Sequence, residues 1–306
     1  MFCATNHRAN TGQTGATPRR GVYGFPSGIR EQMSYNIWYV KQRISLIIPA
    51  YNEERYLARC LDAVAAQTVK PFEVIVIDNN STDTTAEIAR RYRFVRLLHE
   101  PAQGRVYARN TGFDAARGTI LARIDADAVL PADWVERLSL YYHRPEAQLT
   151  AWTGGALFYN VRFPHAVSSV YNGLVFGFNR LLAGHPTLWG SNMALPKALW
   201  HEAKADVCLR NDVHEDLDLA IHLHRCGRTI HYQRHAKVHV QLRRVRSSRH
   251  ELWAYLQMWP RTLRVHGIQT WPICWLFGDV LLYVATPLFS IAERIARAFG
   301  RKPLDD

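Results

Sequence analysis

The chain has 306 residues, 48% of them hydrophobic, 11% aromatic and 21% charged, which supplies the core of one large domain and excludes wholesale disorder. Its five cysteines (Cys3, Cys60, Cys208, Cys226, Cys274) are scattered with no C-x-x-C pair, which excludes a disulfide scaffold and a zinc ribbon and points to a reducing compartment. The net charge of +12 is uneven, with +5 in residues 1–43, −2 in 44–224 and +9 in 225–306, so the excess flanks a near-neutral middle.

Residues 1–42 read as a disordered basic segment. The stretch 5–28 is rich in Asn, Thr, Gly, Pro and Arg without an apolar period, and Arg19-Arg20 is not followed by the apolar run of a signal peptide. Met33 stands as an alternative start. From residue 43 strands and helices alternate. Residues 44–48 form an apolar strand. Residues 54–67 set Leu57, Leu61 and Val64 on one helical face. Residues 72–77 (FEVIVI) suit a strand buried on both faces. Thr84 and Glu87 make a capping-box pattern opening a helix to Arg91. Residues 95–98 form a third strand, 105–117 a helix stopped by Gly118, 119–124 a fourth strand and 131–143 a further helix. This order predicts a mostly parallel sheet with helices on its faces, binding ligands at the carboxyl ends of its strands.

After Gln148 the alternation weakens. Residues 167–182 suit a helix, as do 214–226, ended by Gly227. Residues 229–232 and 237–240 suit short strands, and 243–249 is a basic run. Residues 271–292 are strongly apolar, with Asp279 the one charge and two prolines, Pro272 and Pro287.

Nucleotide motifs of other classes are absent: there is no G-x-G-x-x-G, no G-x-x-x-x-G-K-[ST], no H-E-x-x-H and no G-x-S-x-G. Carboxylates instead follow the predicted strands. The first strand runs into Pro49-Ala50-Tyr51-Asn52-Glu53, the second into Asp78-Asn79-Asn80-Ser81-Thr82-Asp83, the fourth into Asp125-Ala126-Asp127. Acids gathered at one rim repel each other, and Mg²⁺ or Mn²⁺ shared with substrate phosphates relieves that. Asp83 reads instead as a turn or helix cap, and Asn52 and Glu53 also suit the opening of the first helix.

The stretches RISLIIPAYNEERYLARCLDAVAAQ, FEVIVIDNNSTDTT, GRVYARNTGFDAARG and ILARIDADAVLPADWVE, in this order and spacing, resemble the family 2 glycosyltransferases of the A-type nucleotide-sugar fold. The resemblance runs over residues 43–240, about two thirds of the chain. It implies one Rossmann-like α/β domain over 43–242 and an inverting transferase that uses a nucleoside-diphosphate sugar with Mn²⁺ or Mg²⁺. It further implies that Pro49, Ala50, Tyr51, Asn52 and Glu53 form the first nucleotide loop and that Asp78 meets the base. Arg109 and Asn110 flank the nucleotide, Asp125 serves the ribose and phosphates, and Asp127 holds the metal. Gly190, Ser191 and Asn192 form the loop before the acceptor helix. In His214-Glu215-Asp216, Asp216 is the base that takes the acceptor's proton, with Glu215 the runner-up. His239 resembles a histidine that completes the metal site in many relatives, and a structural histidine is the equal alternative there. His222, His224, His231 and His235 read as structural or surface residues.

Residues 243–306 read as a basic, apolar helical appendage. The 22 residues 271–292 have arginines on both sides and Trp271, Trp275 and Tyr283 suited to an interface. A span, a re-entrant or in-plane helix, and a hairpin packed on the catalytic domain all fit this pattern. The expectation is attachment to an anionic membrane surface at the cytoplasmic face, with a lipid-linked or cell-surface glycan acceptor. Two other classes weigh less. A sugar nucleotidyltransferase wants a Gly-rich basic loop where PAYNEE stands, and a nucleic-acid binder wants its charge on the core domain, so no nucleic-acid partner is expected.

Overall fold

The computed structural model describes residues 42–243 and 248–280. The readings made for residues 1–41, for the middle of the basic run at 244–247 and for the rest of the apolar stretch beyond 280 lie outside them.

Seven strands form one sheet: β1 (Ile44–Ala50), β2 (Glu73–Asp78), β3 (Val95–His99), β4 (Ile120–Arg123), β5 (Thr150–Phe158), β6 (Met193–Pro196) and β7 (Thr229–Val240). Their spatial order is β3-β2-β1-β4-β6-β5-β7. β1 pairs in parallel with β2 and β4, β2 with β3, and β5 with β7, while β6 runs antiparallel between β4 and β5. The chain therefore reverses its winding between β1 and β4. In an open α/β sheet the crevice at such a switch point, beyond the carboxyl ends of the strands, is where ligands bind.

The helices follow from the pleat. Alternate β1 side chains face opposite ways. Ile44, Leu46 and Ile48 join Val74, Val76, Ile120 and Ala122 in one core. That core is covered by α1 (Leu57–Ala65), through Leu57, Leu61 and Val64 as expected, and by Trp134 and Leu138. Ile47 joins Ile75, Ile77 and Leu121 in a second core on the other face, covered by Phe113, Trp200, Leu219 and Leu223. The helices that bring these are α3 (Arg105–Ala115), α4 (Trp134–Tyr142), α7 (Lys197–Ala203) and α8 (Glu215–Arg225). The strand predicted at 72–77 as buried on both faces, β2, is so because helices cover both sides.

Several local expectations change. The short helix α2 (Thr85–Arg90) has no capping box: Thr84 makes no cap bond and gives its hydroxyl to Glu54 Oε2 at 2.9 Å. Asp83 supplies the acceptors, taking the Thr85 N–H at 3.0 Å and the Glu54 N–H at 3.1 Å, so it is the cap foreseen for it. Helix α3 stops at Ala115, three residues before Gly118. Gly118 is needed for another reason: a Cβ there would stand 2.2 Å from the Arg43 carbonyl. The helix expected at 167–182 is α5 (Pro164–Asn172), a wider π turn at Gly173–Phe178 and α6 (Asn179–Ala183) in succession.

The two short strands read at 229–240 are one twelve-residue strand, β7, whose pairing with β5 is broken by a bulge between Gly154 and Ala156. Buried Asn192 braces that irregularity, giving its amide to the carbonyls of Ala236 at 2.8 Å and Gly155 at 3.1 Å. Downstream, α9 (Arg249–Val265) opens with a full capping box from Ser248 and Glu251, and α10 (Trp271–Val280) follows. Neither stands apart from the catalytic domain. Leu263 and Cys274 share a buried cluster with Leu217 and Ile221 of α8, and Thr262 Oγ1 accepts the His214 N–H at 2.9 Å.

Candidate active site

A cleft of about 500 Å³ opens at the switch point, a size suited to a small-molecule ligand. One wall is the end of β1 and the loop after it, with Pro49, Ala50, Tyr51 and Glu53. The floor is the β4 end, with Arg123, Asp125, Ala126 and Asp127. Gly190, Ser191 and the start of α8, with Glu215 and Asp216, form the opposite wall. Aromatic Tyr171, Trp189 and Tyr255, and the segment Gln241–Arg243, close the rest.

Five carboxylates and three arginines meet here, and their pairing sorts the acids. Buried Arg123 gives Nη1 to Glu215 Oε1 at 2.9 Å and Nη2 to Asp125 Oδ1 at 3.1 Å. Arg105 stands 3.8 Å from the other Glu215 oxygen. Burial alone would raise the Glu215 carboxyl, but Arg105, Arg123 and Arg109 hold it well below its ordinary value. Asp216 is different. It accepts the Gly190 N–H at 2.9 Å and the Leu217 N–H at 2.8 Å, and among the described residues no arginine pairs with it. Burial, with Glu215 beside it, pushes its carboxyl up. The backbone N–H bonds work in the other direction without cancelling this. Gly190 is what lets the loop sit so close: a Cβ there would stand 2.8 Å from the Arg123 guanidinium.

At the other end of the floor, Arg243 holds Glu53 with both nitrogens at 2.9 Å and Asp127 Oδ2 at 2.8 Å. Burial raises the Asp127 carboxyl to about 6 against this pairing, helped by Asp125 and Glu53. The arrangement asks for positive charge, and the guanidinium supplies it. Carboxylate oxygens without sulfur or imidazole form the donor set of a hard cation such as Mg²⁺ or Mn²⁺, so the residues fit the expected ion.

Residues 45–193 match the family described as Glycosyl transferase family 2. The chain is 42% identical over 101 residues to glycosyltransferase AglE of Haloferax volcanii, a match covering 31% of this chain and 33% of the relative. It is 34% identical over 100 residues to the uncharacterized glycosyltransferase EpsJ of Bacillus subtilis, covering 31% and 29%. The chain thus spans about a third of the length of these relatives. Among solved structures it is similar to mannosyltransferase PcManGT of Pyrobaculum calidifontis in complex with GDP-Man and Mn²⁺. That TM-score is 0.56 at 21% identity, covering 87% of this chain and 77% of that one. A second is S. aureus TarS in complex with UDP-GlcNAc, at 0.52 and 20% identity, covering 65% and 58%. Both likenesses concern the fold. Residues 45–193 belong to glycosyltransferase family 2.

Pro49, Ala50, Tyr51, Glu53, Asp125, Asp127, Gly190, Ser191, Glu215 and Asp216 all line the cleft. The others singled out in the sequence stand behind it. Asn52 adopts a left-handed φ of 54°, which Asn tolerates, and ties two loops together by accepting the Thr82 N–H at 2.8 Å. Asp78 accepts the Ser81 N–H at 3.1 Å and shapes the turn after β2. Asn79, its neighbour, reaches the cleft. Arg109 is fully buried under α8, where Nη1 donates to the Glu215 carbonyl. Its Nε and Nη2 donate to Asn110 Oδ1 at 3.0 and 2.8 Å, so this pair supports the wall from behind. Arg105, one turn nearer the rim on the same helical face, takes the cleft position.

Asn192 is a core brace. His239 does not line the cleft: its backbone bridges to Val129, and burial, with Arg59 nearby, holds its imidazole below the ordinary value. Arg123 and Arg243 went unassigned in the sequence. The first had a signal, a charge inside the otherwise apolar ILARI. The second opens the basic run 243–249 and carries no such signal.

Proposed function

We propose that this chain transfers a sugar from a nucleoside-diphosphate sugar to a hydroxyl acceptor with inversion at the anomeric carbon. The carrying observation is that Asp216 faces the Asp125–Asp127 floor across a single cleft as the one carboxylate there without an arginine partner among the described residues. Tyr51 and Glu53 take the nucleoside side, and Asp125, oriented by Arg123 and by the hydroxyl of Ser191, serves the ribose and phosphates. Asp127, with Asp125 beside it, would hold Mn²⁺ or Mg²⁺, which supplies positive charge for the departing diphosphate. Asp216 accepts the proton of the acceptor hydroxyl as that oxygen attacks the face opposite the leaving group. Its raised carboxyl makes it a stronger base than an ordinary aspartate, and general-base help is worth about 10²–10⁴-fold. Glu215 serves as a fixed counter-charge for Arg105 and Arg123.

We place the protein on an anionic membrane surface at the cytoplasmic face, acting on a lipid-linked or cell-surface glycan precursor. Among the described residues no helix is long and apolar enough to cross a membrane. The support is an apolar exposed face on α10, where Ile273, Trp275 and Leu276 are 57%, 45% and 62% exposed, followed by further arginines in the sequence.

The test is incubation of the full chain with UDP-, GDP- and dTDP-sugars, with and without Mn²⁺, reading both product and thermal shift. Release of nucleoside diphosphate is expected. Release of pyrophosphate, or no binding of any nucleotide sugar, overturns the reading.

A further inference from the structure

A second polar cluster lies outside the cleft, and the transfer chemistry does not use it. Cys208, Asp218, His222 and His266 each place one thiol, carboxylate or imidazole atom within 4.8 Å of the others. They come from three places in the chain. Asp218 and His222 are four apart on α8, one turn and one face. Cys208 belongs to the loop before that helix. His266 ends α9.

The distances suit a tetrahedral ion. His266 Nε2 lies 2.8 Å from Asp218 Oδ1, His222 Nε2 lies 3.5 Å from the same oxygen, and Cys208 Sγ is 4.0 Å from His266 Nε2. Four ligands around Zn²⁺, at about 2.3 Å for sulfur and about 2.0–2.1 Å for nitrogen and oxygen, stand about 3.3–3.7 Å apart. To reach that geometry the 2.8 Å pair opens by about half an ångström, and the widest separations, up to 4.8 Å, close by about 1 Å. Two further observations point to a ligand. His222 Nε2 is buried and makes no hydrogen bond, a cost that an ion in this cluster removes. The second oxygen of Asp218 is already fixed by the Cys208 N–H at 3.0 Å, which orients both ligands as metal sites require.

We propose that Cys208, Asp218, His222 and His266 form a closed structural site for a thiolate- and imidazole-preferring divalent cation, Zn²⁺ in the first place. Such an ion joins the helix that begins with Glu215 and Asp216 to the helix that carries Tyr255, one wall of the cleft. It is separate from the oxygen-lined floor at Asp127, in ligand type and in position.

Loading balances in protons. The Cys208 thiol gives its proton to solvent. Burial and the neighbouring Asp218 resist that step in the ion's absence, and a coordinating cation reverses it. His266 Nδ1 now faces Arg225 Nη1 at 3.2 Å, so its Nε2 carries the proton given to Asp218. On loading, that proton moves to Nδ1 and Arg225 turns to the His266 carbonyl, which its Nη2 already meets at 2.7 Å. Half-exposed Cys208 marks the side from which the ion enters.

The test uses the full chain, purified without chelator and analysed for metals, then stripped and titrated with Co²⁺. About one zinc ion per chain is expected as isolated. On titration, a thiolate-to-cobalt charge-transfer band should appear that Zn²⁺ displaces. The band should disappear in Cys208→Ser and persist in Asp127→Asn, which alters only the cleft. A wild-type chain that takes up cobalt without that band overturns the proposal, even where the variants fail to fold. So does a band unchanged by Cys208→Ser. A band lost in Asp127→Asn would place the ion in the cleft and overturn it equally.

Discussion

Glu215 and Asp216 are adjacent acids at one helix start, and their surroundings predict opposite phenotypes for their amides. Glu215 is the counter-charge of two arginines, one of them Arg123, whose side chain is 3% exposed. Removing one partner of a buried ion pair leaves an uncompensated charge and costs about 3–5 kcal/mol. Glu215→Gln keeps a carbonyl for Arg123 but removes the charge that both guanidiniums face. Its loss of stability is therefore expected at about 3 kcal/mol, the lower end of that range.

Asp216 is charged at the expense of burial and of its neighbour Glu215. Asp216→Asn removes that penalty. It also turns one of two acceptors, the one facing Gly190 or the one facing Leu217, into a donor, which costs about 1–3 kcal/mol. The two effects oppose, and a change within about 1 kcal/mol follows. Activity reverses the order. Asp216→Asn loses its proton acceptor and should transfer at least about 10²-fold more slowly while binding donor normally. Glu215→Gln, assayed well below its melting temperature, should retain the larger share of its rate. Urea denaturation gives the stabilities, nucleoside-diphosphate release the rates, and thermal shift the donor binding. The reasoning fails if Asp216→Asn is as unstable as Glu215→Gln, or if it transfers at near the wild-type rate.

Three further outcomes are expected. Asp127→Asn should keep its fold and lose the Mn²⁺-dependent part of the thermal shift given by nucleotide sugars, and full turnover by that variant or in EDTA would refute the cation's place there. Glu73 accepts hydrogen bonds from Ser45 Oγ at 2.7 Å and Arg117 Nε at 3.1 Å, and although its burial opposes this, these bonds hold its carboxyl below the ordinary 4.5. The unfolded chain then binds the proton more readily, so this stabilisation is present at neutral pH and is lost as pH falls through the folded-state value. Glu73→Gln should cost about 1–3 kcal/mol at pH 7 and progressively less toward acid, and a pH-independent urea difference would count against it. The intact chain should float with anionic vesicles in low salt and leave them as salt rises, and failure to float in low salt would exclude surface attachment.

How much of this was legible in the sequence depended on range. The β1–β4 half was readable because β1 and β2 are runs of branched apolar residues, and the shorter β3 and β4 follow helices at regular spacing. β5 escaped because Thr150–Phe158 contains Gly154 and Gly155, which weaken a strand locally. Their reason lies elsewhere in the chain: a Cβ at Gly154 would stand 2.0 Å from the Ala236 carbonyl, and one at Gly155 would stand 2.8 Å from Asn172 Oδ1. β6, the four residues MALP, carries no β-branched residue and ends in a proline.

The candidate site divides in the same way. Residues just past β1 and β4 lie in the cleft because topology alone puts strand ends there. Side chains one turn or one residue removed could not be sorted without the packing. Arg109 and Arg105 share a face of α3, and only the seat of α8 on that helix decides that Arg109 is covered and Arg105 open. The Glu215–Asp216 choice is subtler still. Both acids fit the sequence pattern for a base, and what separates them is direct pairing of Glu215 with Arg105 of α3 and with Arg123 of β4, the latter ninety-two positions away in the chain. The carboxylate paired with arginines is held low, whereas its neighbour is pushed up by burial and by Glu215, against two backbone N–H bonds and the more distant charge of Arg123. In the proposed mechanism the base is the acid that no arginine pairs with directly among the described residues.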